Sequence, residues 1–147
     1  MRIVVASDHG GFEYKNEIHR HLEKRGFQVL DVGTFSNESV NYPDYAVAAA
    51  KKVASGEADR GILVCTSGEG VMIAANKVKG VRAGVGYNDT VSRLLREHND
   101  ANVITFGQKF MELDDVIRRV DIFLETAFTG GRHANRVDII KNIEKGK

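Results

Sequence analysis

Apolar residues along the chain fall into five short, β-branched-rich runs, separated by longer stretches in which they recur every three or four positions. The runs Arg2 to Ala6, Phe27 to Asp31, Gly61 to Cys65, Val81 to Gly86 and Asn102 to Phe106 predict strands. Helical spacing predicts a first helix over Phe12 to Lys24, through Phe12, Ile18 and Leu22, closed by Gly26. Pro43 suits the first turn of an alanine-rich helix that runs to about Ser55-Gly56, after a polar, turn-like stretch from Phe35 to Tyr42. Further helices are expected over Val71 to Lys77 and from Asn88 or Asp89 to His98-Asn99-Asp100. An amphipathic helix from Leu113 to Thr126 is broken by Thr129-Gly130-Gly131, and a last helix spans Arg132 to Glu144.

Strands that alternate with helices define an α/β protein. The expectation is a Rossmann-like, doubly wound, five-stranded parallel sheet flanked by helices, with a C-terminal helix, in one domain over residues 1–147. Such sheets bind ligands beyond the carboxyl ends of their strands, where the winding reverses. Asp8-His9, the turn after Cys65 and the segment after the fifth strand should therefore meet at one rim.

Composition narrows the function. Lys/Arg and Asp/Glu are interspersed and the net charge is +1, which argues against a nucleic-acid binder with a broad basic face. A single cysteine excludes an internal disulfide and a thiolate zinc cluster, and it fits a reducing cytosol. Charged residues come too early for a signal peptide, and no apolar run reaches membrane-spanning length, so a cytoplasmic protein without membrane contact is expected.

The candidate chemistry concentrates at Cys65-Thr66-Ser67-Gly68-Glu69-Gly70. Strand, glycine turn and helix aim backbone N–H groups at whatever lies above the turn, and the helix start favours an anion or a thiolate there. Cys65 reads as a buried small hydrophobe or as a reactive thiol, and Ser67 as a cap or a proton relay. Asp8 and His9 are either a cap and a loop residue or ligand contacts at the first βα turn. His98 suits a helix end with or without chemistry, and Asn99 caps or binds a hydroxyl. Arg132 and Arg136, at i and i+4, share a helix face on which two guanidinium groups can close on one phosphate or remain solvated. Tyr42 reaches a ligand or packs, and His19 and His21 read as surface residues.

Taken together, the segments Asp8-His9-Gly-Gly11, Gly33-Thr34, Tyr42-Pro43, Cys65 to Gly70, Ile73 to Lys77, Arg96-Glu-His98-Asn99-Asp100 and Gly130-Gly-Arg132-His133 with Arg136 resemble one family, in order and spacing over essentially the whole chain. It is the ribose-5-phosphate isomerase B type of sugar-phosphate isomerase, which includes the galactose-6-phosphate isomerase subunits. The resemblance implies an aldose–ketose isomerase, acting most simply on ribose 5-phosphate to give ribulose 5-phosphate. It implies no metal or organic cofactor, and a homodimer or homotetramer whose active sites lie between subunits. Cys65 is similar to the family's base, which moves a proton between C1 and C2 through an enediol, with Ser67 assisting. His98 is similar to the residue that opens the furanose ring. The amides from Thr66 to Gly70 resemble an oxyanion cradle, Asp8 and Asn99 resemble sugar-hydroxyl ligands, and His9, Arg132 and Arg136 resemble the phosphate site.

Four departures bear on substrate more than on reaction. Thr66 and Ser67 stand where the family's turn commonly has glycine and threonine, and Glu69 fills its variable position. Glu69 is expected to shape the substrate site rather than act as the base. Lys109 replaces a common arginine, so a phosphate contact there keeps its charge and loses the planar fork. The alternatives that follow are a tetrose or hexose phosphate as substrate, or a non-catalytic phosphosugar-binding regulatory domain.

Overall fold

The computed structural model describes residues Met1–Gly146. Five strands, β1 (Arg2–Ser7), β2 (Gln28–Asp31), β3 (Arg60–Cys65), β4 (Ala83–Val85) and β5 (Val103–Gly107), form one all-parallel sheet in the order β2-β1-β3-β5-β4. The helices are α1 (Phe12–Lys24), α2 (Tyr42–Ala54), α3 (Glu69–Ala75), α4 (Asp89–Glu97), α5 (Leu113–Glu125) and α6 (Arg132–Glu144). Winding runs outward from β1 to β2 on one side and from β3 to β5 and β4 on the other. The topological switch point therefore lies between the carboxyl ends of β1 and β3.

Period-2 alternation within the strands divides the core. Ile3, Val5, Ile62, Val64, Ile104 and Phe106 face Ile18 and Leu22 of α1 and Val116, Val120 and Phe123 of α5. On the other face Val4, Ala6, Leu63, Cys65 and Val103 pack against Ala46, Ala49, Ala50 and Val53 of α2 and Val71 and Ala75 of α3. The alanines of α2 bring that helix close to the sheet. Both faces are covered, as an all-parallel sheet requires.

Two elements differ in extent from expectation. Strand β4 is three residues long rather than six, because side chains take the backbone groups that would extend it. The Asn102 Oδ1 accepts from the Arg82 N–H at 2.8 Å, and the Asn76 amide closes a two-way pair with Ala83 at 2.8 and 2.9 Å. Helix α3 begins at Glu69 rather than Val71, since Gly68 turns the chain at φ +84° and the helix starts directly after it.

The reading of His19 and His21 as surface residues is corrected. Lys15 is 1% exposed and donates to both carboxylate oxygens of Asp31 at 2.9 Å, and His19 Nδ1 lies 2.8 Å from the same carboxylate. His21 Nε2 meets Asp121 of α5 at 2.9 Å. Both histidines are half-buried links between α1 and its neighbours. Desolvation alone would raise the Asp31 pKa, but the hydrogen bonds from Lys15, His19 and the Gly33 N–H bring it below the ordinary carboxylate value. Among the described residues no helix is long and apolar enough to cross a membrane.

Candidate functional site

The switch point gathers the first group of candidates. Strand β1 runs beside β3 with Ser7 opposite Val64, so Asp8 emerges next to Cys65. Asp8 is 6% exposed, and its carboxylate accepts from the Gly10 N–H at 3.0 Å, which holds the residue in a short 3-10 turn over His9–Gly11. Gly10 faces Thr66 so closely that a Cβ there would collide with the Thr66 hydroxyl. His9 is exposed, and its Nδ1 accepts from the Val40 N–H at 3.2 Å. An imidazole that accepts at Nδ1 carries its proton at Nε2, so the ring presents a donor outward.

Cys65 is 5% exposed at the end of β3, and its Sγ accepts from the Gly68 N–H at 3.1 Å. The turn is tight because two glycines let backbones meet. A Cβ on Gly68 would stand 2.9 Å from the Phe106 carbonyl carbon, and one on Gly107 would stand 2.5 Å from the Ser67 carbonyl carbon. The segment after β5 is laced to the turn by Gln108 N–H donating to the Cys65 carbonyl at 2.9 Å and Lys109 N–H to the Thr66 carbonyl at 3.1 Å. Ser67 Oγ accepts from the Glu69 N–H at 3.2 Å, and its own proton is free to donate. Glu69 is exposed in the first turn of α3, where an acidic side chain suits the helix dipole. The Tyr42 ring, 40% exposed, covers Gly70, where a Cβ would lie 2.6 Å from it. The expected meeting of Asp8-His9, the Cys65 turn and the post-β5 segment at one rim is thus observed.

The second group sits elsewhere. His98 closes α4 and leads through Asn99–Asn102 into the start of β5, at the amino ends of the strands. The registers pair Cys65 with Gly107 at one end of β3 and Gly61 with Val103 at the other. Roughly 13 Å of strand therefore separates the two rows. The α4 end is fixed by Arg96, 4% exposed, which donates to Asp100 Oδ1 at 2.9 Å, the Ala101 carbonyl at 2.7 Å and the Thr126 carbonyl at 3.2 Å. His98 stacks on His133 of α6, ring centroids 4.1 Å apart and planes 12° from parallel. Arg132 and Arg136 flank His133 and are exposed. Desolvation, with the charges of His98, Arg132 and Arg136, lowers the His133 pKa. Asn99 opens onto a groove of about 450 Å³ bounded by Arg82, Leu95 and Ile140. Sequence reasoning quoted His133 within the tail segment but gave it no role. Its position between two arginines at i−1 and i+3 was the available signal. Among the described residues no group of three His, Cys, Asp or Glu side chains is placed to hold a metal ion.

A doubly wound α/β protein with a thiol turn at its switch point and a histidine–arginine cluster at the opposite end of the strands is the class so defined. The sequence matches the Ribose/Galactose Isomerase family over residues 3–140. The ribose-5-phosphate isomerase B of Escherichia coli is 45% identical over 144 residues, spanning 98% of this chain and 97% of that protein. Among solved structures, ribose-5-phosphate isomerase B of Clostridium thermocellum superposes with a TM-score of 0.98 at 51% identity, covering 99% of each chain. That of Mycoplasma genitalium, with ribulose-5-phosphate bound, gives 0.95 at 40% identity over 99% of this chain and 97% of the other. The chain belongs to the ribose/galactose isomerase family.

Proposed function

We propose that this protein interconverts ribose 5-phosphate and ribulose 5-phosphate as an aldose–ketose isomerase, with residues 1–147 acting as one unit. The observation that carries the reading is Cys65 itself, a nearly sealed thiol at the switch point whose sulfur accepts the Gly68 N–H at 3.1 Å. The Cys65 thiolate takes the C2 proton, and the electron pair left behind forms the C1–C2 double bond of an enediolate. Amides of the Thr66–Gly70 turn stabilise the charge on O1. The thiol returns its proton to C1, while Ser67 passes the O2 proton toward O1, leaving a ketone at C2. Asp8 and Asn99 bind sugar hydroxyls, and Tyr42 and Glu69 bound the sugar.

His98 opens the furanose ring, and Arg132 and Arg136 hold the phosphate with His9 and Lys109. Asp8, His9, Cys65 and Lys109 lie at the carboxyl ends of the strands and His98, Asn99, Arg132 and Arg136 at the other end, so the working site combines the first set from one subunit with the second from another in a dimer or tetramer. Remote phosphate binding then supplies positioning energy for the carbon chemistry. A reducing compartment such as the cytoplasm suits a lone catalytic thiol.

The test is Cys65→Ala assayed on a panel of C4, C5 and C6 aldose phosphates. The expected result is selective turnover of the pentose phosphate by the wild type and a loss of about 10²-fold or more in the variant. Retention of most of the wild-type rate would remove Cys65 as the base.

A further inference from the structure

His133 is the one histidine of the cluster to which the reading above gives no task. Its ring lies flat on that of His98, at 4.1 Å and 12°, a contact made along the whole face rather than through a hydrogen bond. The groups around it are mostly positive. On α6 it stands between Arg132 and Arg136, and from the end of α4 it meets His98. Nearby carboxylates are engaged elsewhere, Glu97 with Arg93 at 3.0 Å and Asp100 with Arg96 and Arg82 at 2.9 and 3.3 Å. Two stacked imidazoles at this spacing cannot both carry a proton without strong repulsion. Between two guanidinium groups, His133 is the member that stays neutral, in line with its lowered pKa.

Resting on the isomerase reading, we propose that His133 is a positioning residue for ring opening: an uncharged aromatic face on which His98 carries the proton delivered to the sugar. An aromatic face stabilises a cation above it, and a permanent charge in the same place would repel it. In the step itself His98 gives its proton to the ring oxygen O4 as the C1–O4 bond breaks. The C1 hydroxyl proton returns to the emptied imidazole, and the aldehyde is left for Cys65. The phosphate, bound on Arg132 and Arg136, offsets the two charges that otherwise oppose a proton on the stack. A sugar without phosphate would lose this assistance along with its affinity.

The experiment uses two substrates that differ in whether a ring must open. Ribose 5-phosphate is a furanose. Ribulose 5-phosphate has its O5 esterified, cannot close a five-membered ring, and reports the enediol step alone through solvent deuterium uptake at C1. The measured quantity is the ratio of forward conversion to deuterium uptake, as a function of pH, for wild type, His133→Phe and His133→Arg.

His133→Phe keeps the neutral face and is expected to keep most of the ratio. His133→Arg is expected to lower it by about tenfold or more at neutral pH, the factor carried by one unit of proton affinity. Its forward rate should also begin to fall at a lower pH than that of the wild type. If His133 only touches the phosphate, the order reverses: Arg preserves both rates, Phe raises KM in both assays together, and the ratio does not move. That result overturns the proposal. A wild-type protein that neither converts nor exchanges would instead sink the isomerase reading, and so the two failures are distinguishable.

Discussion

Mixing two inactive variants tests the divided site directly. Cys65 pairs with Gly107 at the carboxyl end of the sheet, whereas His98 precedes Val103 at the amino end, beyond about 13 Å of strand. Cys65 must come within about 3 Å of C1 and C2, and His98 within the same reach of the ring oxygen bonded to C1, so on the proposed reading these two side chains come from different chains. In a dimer carrying Cys65→Ala in one subunit and His98→Ala in the other, one site lacks both groups and the other has both. Random reassortment makes about half of the dimers mixed, so the mixture should recover about a quarter of wild-type forward activity from two nearly inactive parents.

A reciprocal mixture sharpens the test. Wild type reassorted with the double variant should keep about a quarter of the activity if sites are shared, and about a half if each chain holds a whole site. The assay is conversion of ribose 5-phosphate after co-refolding or co-expression of differently tagged chains. No recovery from the two single variants, with about half retained in the reciprocal mixture, would refute the shared site.

Three further outcomes follow from local geometry. Asp31→Asn leaves the 1%-exposed Lys15 ammonium without its carboxylate and should cost about 3–5 kcal/mol in chemical denaturation. The folded Asp31 pKa lies below its unfolded value, so its contribution is present above the unfolded pKa and lost as pH falls through the folded one. The stability of Asp31→Asn should consequently decline less steeply in acid than that of the wild type. Gly68→Ala combines φ +84° with a Cβ 2.9 Å from the Phe106 carbonyl carbon, and should abolish most isomerase activity while circular dichroism still reports a folded chain. Arg96→Leu removes three hydrogen bonds that fix the α4 end, and should lower forward conversion of the furanose more than deuterium uptake by ribulose 5-phosphate.

Much of this was legible in residue order. The five β-branched runs marked the strands, and the glycine turn after Cys65 marked the rim, because apolar period and turn chemistry are local signals. The helix starts at Phe12 and Arg132 were legible for the same reason, and Pro43 marked the first turn of α2, which begins one residue earlier, at Tyr42. What the residues could not announce depended on partners far along the chain. The shortening of β4 comes from Asn76 and Asn102, whose side chains replace ladder bonds that periodicity alone assigns to the strand. Nothing in the helical spacing marks Lys15 as buried, because its partner Asp31 lies sixteen positions on. His98 and the Cys65 turn each read as site residues, but only the strand registers place them at opposite ends of the strands.

The contact between Thr66 and Gly10 ties two distant positions into one inherited unit. The threonine hydroxyl occupies the volume that a side chain at position 10 would need, so a larger residue there requires Thr66 to turn its hydroxyl away. Reduction of position 66 to glycine would reopen that choice and remove the hydroxyl from the turn. Drift in this corner is therefore coupled: bulk at position 10 requires position 66 to shrink or turn aside. A library varied at both positions should return functional clones in which bulk at position 10 is found chiefly where position 66 is small.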